Sequence, residues 1–592
     1  MKGSSRLPRL VSRLLDPAVY THPVDRVELV ETHISWVLLA GDRVYKIKKP
    51  VSLGFLDFTT LARRRRFCHD EVRLNRRLAS DVYLDVVEIK GSARAPRFEG
   101  RGRTIEVAVL MRRLPAERML DRLVRENAAP AALLDGIGTT VARFHAAADT
   151  GGEIDEVGGI ATVRRNWEEN FAQTDAVGTE LLAEDTRRRV REYVAAFLER
   201  EGARFAGRIA AGRSRDCHGD LQAQHVCCVE PVQIFDCIEF NHRFRFGDVA
   251  AEIAFLAMDL ERLDRPDLAI RFLNAYLEEN GDYEAVPLLD FYRAYRAWVR
   301  AKVTAFQVAD HPERASEARA LFELAGRFVA PRRRPRLVIT TGVMGTGKST
   351  AARLAAARLG AIVVRTDAVR KRLAGVPLRE RVVPAFGEGL YAPEMGRRTY
   401  VEAARLADEL LQAGWPVIVD GSFSHAAERA EARAVADRHG LLFAVLWCDA
   451  PDEVLLERLR SRSGDPHEVS DGRDELLAEH RAHYESPDQE PGAPSRKSWP
   501  RSGPSSWHCP ERSTSGSARS PASPTSRSTL CSTRRGTKRF LAAGPGQRIS
   551  KGTSKGRGGD FTRSAPSASG PAEAGRGSSE PVFTRSRATS SR

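Results

Sequence analysis

The stretch Leu337-Val338-Ile339-Thr340-Thr341-Gly342-Val343-Met344-Gly345-Thr346-Gly347-Lys348-Ser349-Thr350 constrains this chain more than any other. An apolar run rich in β-branched residues leads into G-x-x-x-x-G-K-S, and an Ala-, Leu- and Arg-rich run with helical spacing follows. Strand, glycine loop and helix, in that order, form the context in which such a loop cradles phosphate. Gly342, Gly345 and Gly347 let the backbone turn tightly, so that successive N–H groups from Val343 to Thr350 can face phosphate oxygens. A helix beginning near Lys348 adds its positive N-terminal end. In this pattern Lys348 reaches the β- and γ-phosphates, and the Ser349 hydroxyl ligates Mg²⁺.

The residues around the loop fit it. From 336 to 487 strand-like runs (337–341, 361–366, 416–420 and 441–448) alternate with helical patterns, which predicts a parallel α/β sheet. Two of these runs end in aspartate, Asp367 and Asp420, and carboxyl ends of strands face the ligand crevice in such sheets. Asp367 is placed to orient or deprotonate a hydroxyl substrate, Asp420 to support Mg²⁺, and Arg370 and Arg372 to hold an anion. Arg458 and Arg462, four apart on a predicted helix, would fold over the transferred phosphate as a lid, although arginines on a helix face are more often simply solvated.

Upstream, a second constellation occupies 44–71 and 217–241. Val37-Leu38-Leu39 and Val44-Tyr45-Lys46-Ile47-Lys48 flank the turn Ala40-Gly41-Asp42, a predicted hairpin. A charged amphipathic helix (61–79) and strands at 83–89 and 105–111 follow, then mostly helix from 116 to 210 and from 248 to 325. Between them His218-Gly219-Asp220-Leu221 precedes a hairpin with arms His225–Val229 and Val232–Phe235, turning at Glu230-Pro231 and delivering Asp236 at its end. Two aspartates so spaced suit phosphoryl transfer, one deprotonating the acceptor hydroxyl and the other holding Mg²⁺ on the nucleotide. Lys46 and Lys48 share a strand face, and Glu71 lies on the next helix, as a Lys–Glu pair seating the α/β-phosphates requires. Which lysine does so is open, as is whether His218 is catalytic or braces the loop. Cys217, Cys227, Cys228 and Cys237 alternate through the strand arms and read as small buried residues rather than a metal cluster.

Over about 300 residues this region resembles the aminoglycoside phosphotransferase-like kinases, a branch of the protein-kinase-like fold. His218-Gly219-Asp220-Leu221 resembles their catalytic loop, Asp236 their metal aspartate, Glu71 their helix glutamate and Ala108-Val109-Leu110-Met111 their adenine-binding hinge strand. Asp248 falls where they have a structural aspartate. The family carries a metal-binding Asn five residues after the catalytic Asp. Here that position is His225, and imidazole matches Mg²⁺ less well than oxygen ligands do. Residues 337–487 resemble the small P-loop kinases of metabolites and the zeta-toxin-like group. The order of both modules, and the run Ile234-Phe235-Asp236-Cys237-Ile238-Glu239-Phe240-Asn241, resemble the bacterial bifunctional aminoglycoside phosphotransferase/ATP-binding proteins.

Charge separates the body of the chain from its end. The net charge is +15, but 19 of the 93 Lys and Arg and 4 of the 78 Asp and Glu fall in residues 491–592, leaving 74 of each in the rest. The Ser-, Pro-, Gly- and Arg-rich stretch from 488 onward has no apolar periodicity with which to offset chain ordering, and reads as a disordered tail able to bind acidic partners non-specifically. It interrupts a helical pattern at 474–484, as a shifted reading frame would; resequencing the coding region across 485–495 tests this. Eight cysteines without a CxxC pair, no apolar run of membrane-spanning length and no signal-peptide core predict a soluble, cytoplasmic protein.

The expected organisation is a lead (1–24), an α+β protein-kinase-like domain (25–330), a Pro/Arg linker (331–335), an α/β P-loop kinase domain (336–487) and the tail (488–592). The expected activity is ATP- and Mg²⁺-dependent phosphorylation of a hydroxyl on a small molecule. Two rivals stand beside it: a catalytic P-loop domain with a regulatory N-terminal domain, and a nucleic-acid-associated ATPase using the tail, against which the neutral body argues.

Overall fold

The computed structural model describes residues 7–54, 56–331, 335–382, 387–462 and 469–489, the side chains of Arg462 and Gln489 excepted. Most of the linker, the tail from 490 and the side chain of Arg462, expected as part of a lid, therefore lie outside the described residues.

Alternating burial at the N-terminus folds as read. β1 (Val27–Glu31), β2 (Ser35–Ala40) and β3 (Arg43–Lys48) form an antiparallel meander, and β4 (Tyr83–Ser92), β5 (Ala95–Arg97) and β6 (Thr104–Arg112) complete a six-stranded sheet in the order β1-β2-β3-β6-β4-β5. The helix after β3, α1 (Leu61–Asn75), starts at Thr60, whose side chain accepts from the Arg63 N–H. It stops four residues short of the predicted end, because the Leu78 and Ala79 amides both turn back onto the Asn75 carbonyl. The helix lays fully buried Glu71 under the sheet.

The larger, helical part of this region includes α2 (Ala131–Ala147), α3 (Val249–Arg262), α4 (Pro266–Asn280) and α5 (Leu289–Gln307). Between α2 and α3 lie β7 (Ser214–Asp216) with its partner β10 (Phe246–Asp248), and the short hairpin of β8 (Val226–Cys227) and β9 (Gln233–Ile234). The hairpin pairs Val226 with Ile234 and Cys227 with Gln233, one residue out of step with the Cys227–Ile234 pairing that a two-residue turn at Glu230-Pro231 would give. His225 is not a strand residue as expected; it closes a 3₁₀ turn, Ala223–His225, which swings its ring toward Asp220.

From 336 the sheet is parallel, in the order β12 (Ile362–Arg365), β13 (Val417–Asp420), β11 (Arg336–Thr341), β14 (Leu442–Trp447). Parallel neighbours need crossovers, supplied by α6 (Lys348–Leu359), α7 (Thr366–Leu373), α8 (Pro393–Gln412) and α9 (Ala426–Arg438). α10 (Asp452–Arg462) and the short α11 (Leu477–Ala482) follow β14. One contiguous apolar core runs from Trp167, Phe291 and Trp298 in the first region to Leu337, Ile362 and Val419 in the second. Among the described residues no helix is long and apolar enough to cross a membrane.

Candidate functional site

In the N-terminal region two lysines meet one glutamate. Lys46 Nζ lies 2.8 Å from Glu71 Oε1 and 2.5 Å from Asp236 Oδ1. Lys48 Nζ lies 2.6 Å from Glu71 Oε2 and also pairs with Glu239. The structure thus separates the two lysines that the sequence leaves equivalent. Lys48, 1% exposed, is sealed between two buried carboxylates and does not reach open space, whereas Lys46 faces the half-exposed Asp236. Burial alone would lower the Lys46 ammonium, but Asp236 and Glu71 hold it well above its ordinary range. Burial likewise opposes ionisation of Asp236, yet Lys46 and then His225 keep its carboxyl well below the usual carboxylate range. Asp236 is pinned at φ +66°, and its N–H donates to the Tyr83 hydroxyl at 3.1 Å.

The His218–Asp220 loop is held from beneath. Glu252, on α3, accepts the N–H groups of His218 (2.9 Å) and Gly219 (2.6 Å). His145 on α2 donates to Glu252 through Nε2 (2.9 Å) and meets the Tyr276 hydroxyl of α4 through Nδ1 (2.8 Å). Burial raises the Glu252 carboxyl, but the hydrogen bonds and charges of His145 and His218 together outweigh it and bring it to about 2. Gly219 sits at φ +86°, where a Cβ would meet the Phe244 carbonyl at 2.7 Å. His218 donates through Nε2 to the Phe235 carbonyl (3.0 Å) and accepts from the Asp220 N–H (3.3 Å), so its ring ties the loop to the strand before Asp236. Asp220 takes a hydrogen bond from Gln222 (2.6 Å). His225 donates through Nδ1 to the Asp220 carbonyl (2.9 Å) and turns Nε2 toward Asp236 Oδ2 (3.6 Å). From α5, Arg296 reaches the Gly219 carbonyl (3.1 Å). Arg300 pairs with Asp259 (2.5 Å), which accepts the Ala223 N–H. Asp248 binds Arg208 and caps α3 through the Ala250 N–H.

Cys217, Cys227, Cys228 and Cys237 are buried, and burial pushes Cys228 and Cys237 up to about 12.

In the second region the glycine loop leaves β11 and enters α6 at Lys348. Gly342, Gly345 and Gly347 all take positive φ, and a Cβ at Gly342 would lie 2.2 Å from the Cys448 carbonyl, so only glycine fits there. Lys348 Nζ donates to the Val343 carbonyl (2.9 Å), and Thr346 Oγ1 to the same oxygen (2.8 Å). Ser349 and Thr350 occupy the first turn of α6. Asp420 ends β13, accepts from Thr340 Oγ1 (3.0 Å) and lies 3.5 Å from Arg365 Nε. Asp367 opens α7 and pairs with Arg370 (3.2 Å), whose guanidinium lies 4.7 Å from the Tyr391 ring. Arg372 instead turns away, to the carbonyls of Leu277 and Glu278 at the end of α4. Arg458 reaches the Gly345 carbonyl at 3.4 Å.

Sequence reasoning missed Glu239, Glu252, Arg365, Tyr391, Asp471 and His480. Asp471 accepts from Lys371 (3.2 Å) and from the Tyr391 hydroxyl (3.0 Å), and His480 accepts the Met344 N–H (3.3 Å). Glu239 alone carried a signal, as it falls three residues after Asp236 in the quoted run. The donor sets suit a magnesium nucleotide: carboxylate oxygens of Asp220 and Asp236 in one site, and in the other a glycine-only cradle beside Ser349 and Asp420.

Residues 42–295 match the model of the phosphotransferase enzyme family, and residues 337–487 match a model described as an AAA domain. An uncharacterized protein of Mycobacterium tuberculosis is 37% identical over 450 residues, which are 75% of this chain and 88% of that protein. A shikimate kinase of Microcystis aeruginosa is 30% identical over 148 residues, 24% of this chain and 70% of the enzyme. Among solved structures, a choline/ethanolamine kinase family protein from Mesorhizobium loti aligns at 16% identity and a TM-score of 0.33, covering 53% of this chain and 94% of that one.

Proposed function

The chain belongs to the bacterial family that joins an aminoglycoside phosphotransferase-like kinase domain to a P-loop kinase domain, and from that premise we propose that it phosphorylates hydroxyl groups of small molecules with ATP at two separate sites. The observation that carries this reading is the glycine cradle between β11 and α6, with Lys348 at its close.

At the P-loop site the loop amides and Lys348 would bind the triphosphate, Ser349 and Asp420 would hold magnesium, and Arg458, which reaches the Gly345 carbonyl, would support the transferred group. Asp367 orients the acceptor hydroxyl, with Arg370 beside it. The match to a shikimate kinase supports a small hydroxylated acceptor here. At the N-terminal site Lys46, set by Glu71, would bind the α/β-phosphates, and Asp236 with His225 beside it would hold magnesium. Asp220 takes the acceptor proton as the acceptor oxygen bonds to the γ-phosphorus and the bridge to the β-phosphate breaks. Magnesium, when bound, offsets the phosphate charge. The residues contribute mainly by position and fixed charge.

Lys348→Ala and Asp220→Ala proteins, each assayed for magnesium-dependent ATP turnover against sugar, aminoglycoside and nucleoside hydroxyls, test this. Each variant is expected to lose one activity and keep the other. A second reading has its own support: His225 ties up the Asp220 carbonyl and faces Asp236, where the resemblance expects Asn. If Asp220→Ala leaves every activity unchanged, the N-terminal site is a regulatory binding site and only the P-loop site is an enzyme.

A further inference from the structure

β12 is the edge strand of the parallel sheet, and its outer edge is not bare. Asn274 of α4 donates through Nδ2 to the Ala361 carbonyl (3.0 Å) and accepts the Val363 N–H through Oδ1 (2.9 Å). The Tyr283 hydroxyl donates to the Val363 carbonyl (3.1 Å). One carboxamide and one phenol thus make the bonds that a neighbouring strand would make. One turn further along α4, Glu278 binds Arg365 at the end of β12 (2.6 Å). Arg365 in turn lies 3.5 Å from Asp420, across the register pair Arg365–Asp420. α4 also packs against α6, the helix that Lys348 begins, and receives Arg372 on its last carbonyls.

On the opposite side of the same helix Tyr276 meets His145, which bonds Glu252, which grips the His218–Gly219 amides. α4 is therefore the element on which both sites are mounted.

We propose that Asn274 and Glu278, which belong to the kinase-like region, are positioning residues of the P-loop site: Asn274 fixes the edge of β12, and Glu278 shares the Arg365 guanidinium with Asp420. Without Glu278, Arg365 loses one of its carboxylate partners and leans further onto Asp420. The aspartate is then less available to the magnesium nucleotide. Arg365 and Asp420 are 4–5% exposed, so little solvent screens this competition. The inference rests on the proposed nucleotide role of the P-loop.

The test uses the full chain and two readouts. Magnesium is titrated against binding of a fluorescent ATP analogue, counting the part of the binding that Lys348→Ala abolishes, and ATP turnover is followed alongside. Glu278→Gln is expected to raise the magnesium concentration for half-maximal binding about five- to tenfold, while activity that depends on Asp220 and the thermal midpoint change little. Glu278→Asp, which keeps the charge, is expected to recover most of the shift. An unchanged magnesium requirement in Glu278→Gln overturns the proposal, and so does an equal loss in the Gln and Asp variants. Lys348→Ala leaving the binding intact would instead overturn the P-loop reading itself.

Discussion

The Met344 amide of the glycine loop donates to His480 Nδ1 at 3.3 Å, and His480 Nε2 meets Ser424 Oγ at 3.1 Å. A neutral imidazole satisfies both, whereas protonation would set a second donor against the Met344 N–H. Burial first, and then the nearby Lys348 charge, bring His480 down to about 4. An unfolded-chain imidazole titrates near 6.5. Between these values the unfolded chain holds the extra proton, so stability is full above about pH 6.5 and falls as the pH drops toward 4. Glu252, at about 2 against 4.5, adds a lower window: its contribution is present above about 4.5 and is lost as the pH falls toward 2. Thermal midpoints from pH 8 to 4 should show the first decline, and His480→Gln should flatten it. A decline just as steep in the variant would count against His480.

The two lysines of β3 should fail in different ways. Lys46→Met is expected to abolish nucleotide affinity at the N-terminal site while the protein stays folded, because Lys46 lies at the open side of the Glu71 pair. Lys48→Met leaves Glu71 and Glu239 facing each other in the interior without their shared cation. Breaking a buried pair from one side costs roughly 3–5 kcal/mol. Urea unfolding should therefore place Lys48→Met well below wild type, with Lys46→Met closer to it. A reversed order would refute the assignment.

Both folds were legible because their signals are local. Period-two alternation reports β2 and β3, and the glycine loop reports its own strand and helix. Asp220, Asp236, Lys348 and Asp420 could be picked out as candidates because phosphoryl transfer uses those residue types at the ends of loops and strands. What stayed hidden depends on long-range pairing. Glu252 reads as one residue of a buried helix, and only the fold puts its carboxylate under the amides of His218 and Gly219, over thirty residues away in sequence. Lys46 and Lys48 share a strand face, so no pattern distinguishes them; depth beneath the sheet does. Asn274 and Glu278 carry no motif, and their partners lie about ninety residues away in the parallel sheet.

Asn274→Leu removes both hydrogen bonds to β12 and leaves the Ala361 carbonyl and Val363 N–H buried without them. Each orphaned group costs about 1–3 kcal/mol. The variant should melt several degrees lower and exchange the Val363 amide proton much faster than wild type. Protection of that amide equal to wild type would show that the edge pairing contributes nothing.

His225→Asn is the most direct test of the N-terminal site. In the present chain the ring donates to the Asp220 carbonyl and presents Nε2 to Asp236 at 3.6 Å. An Asn there offers an amide oxygen in place of a ring nitrogen, and magnesium prefers oxygen. Ligand-shell changes of this kind typically move metal affinity or activity roughly 10- to 100-fold. If the site is a kinase limited by its metal, the variant should need about tenfold less magnesium for Asp220-dependent turnover. Asp236 would also lose one of the groups that hold its carboxyl down, so it should rise toward the ordinary range. If His225 is instead adapted to its role, turnover falls in His225→Asn while nucleotide binding survives, and the ring rather than a magnesium-binding amide is what this site uses.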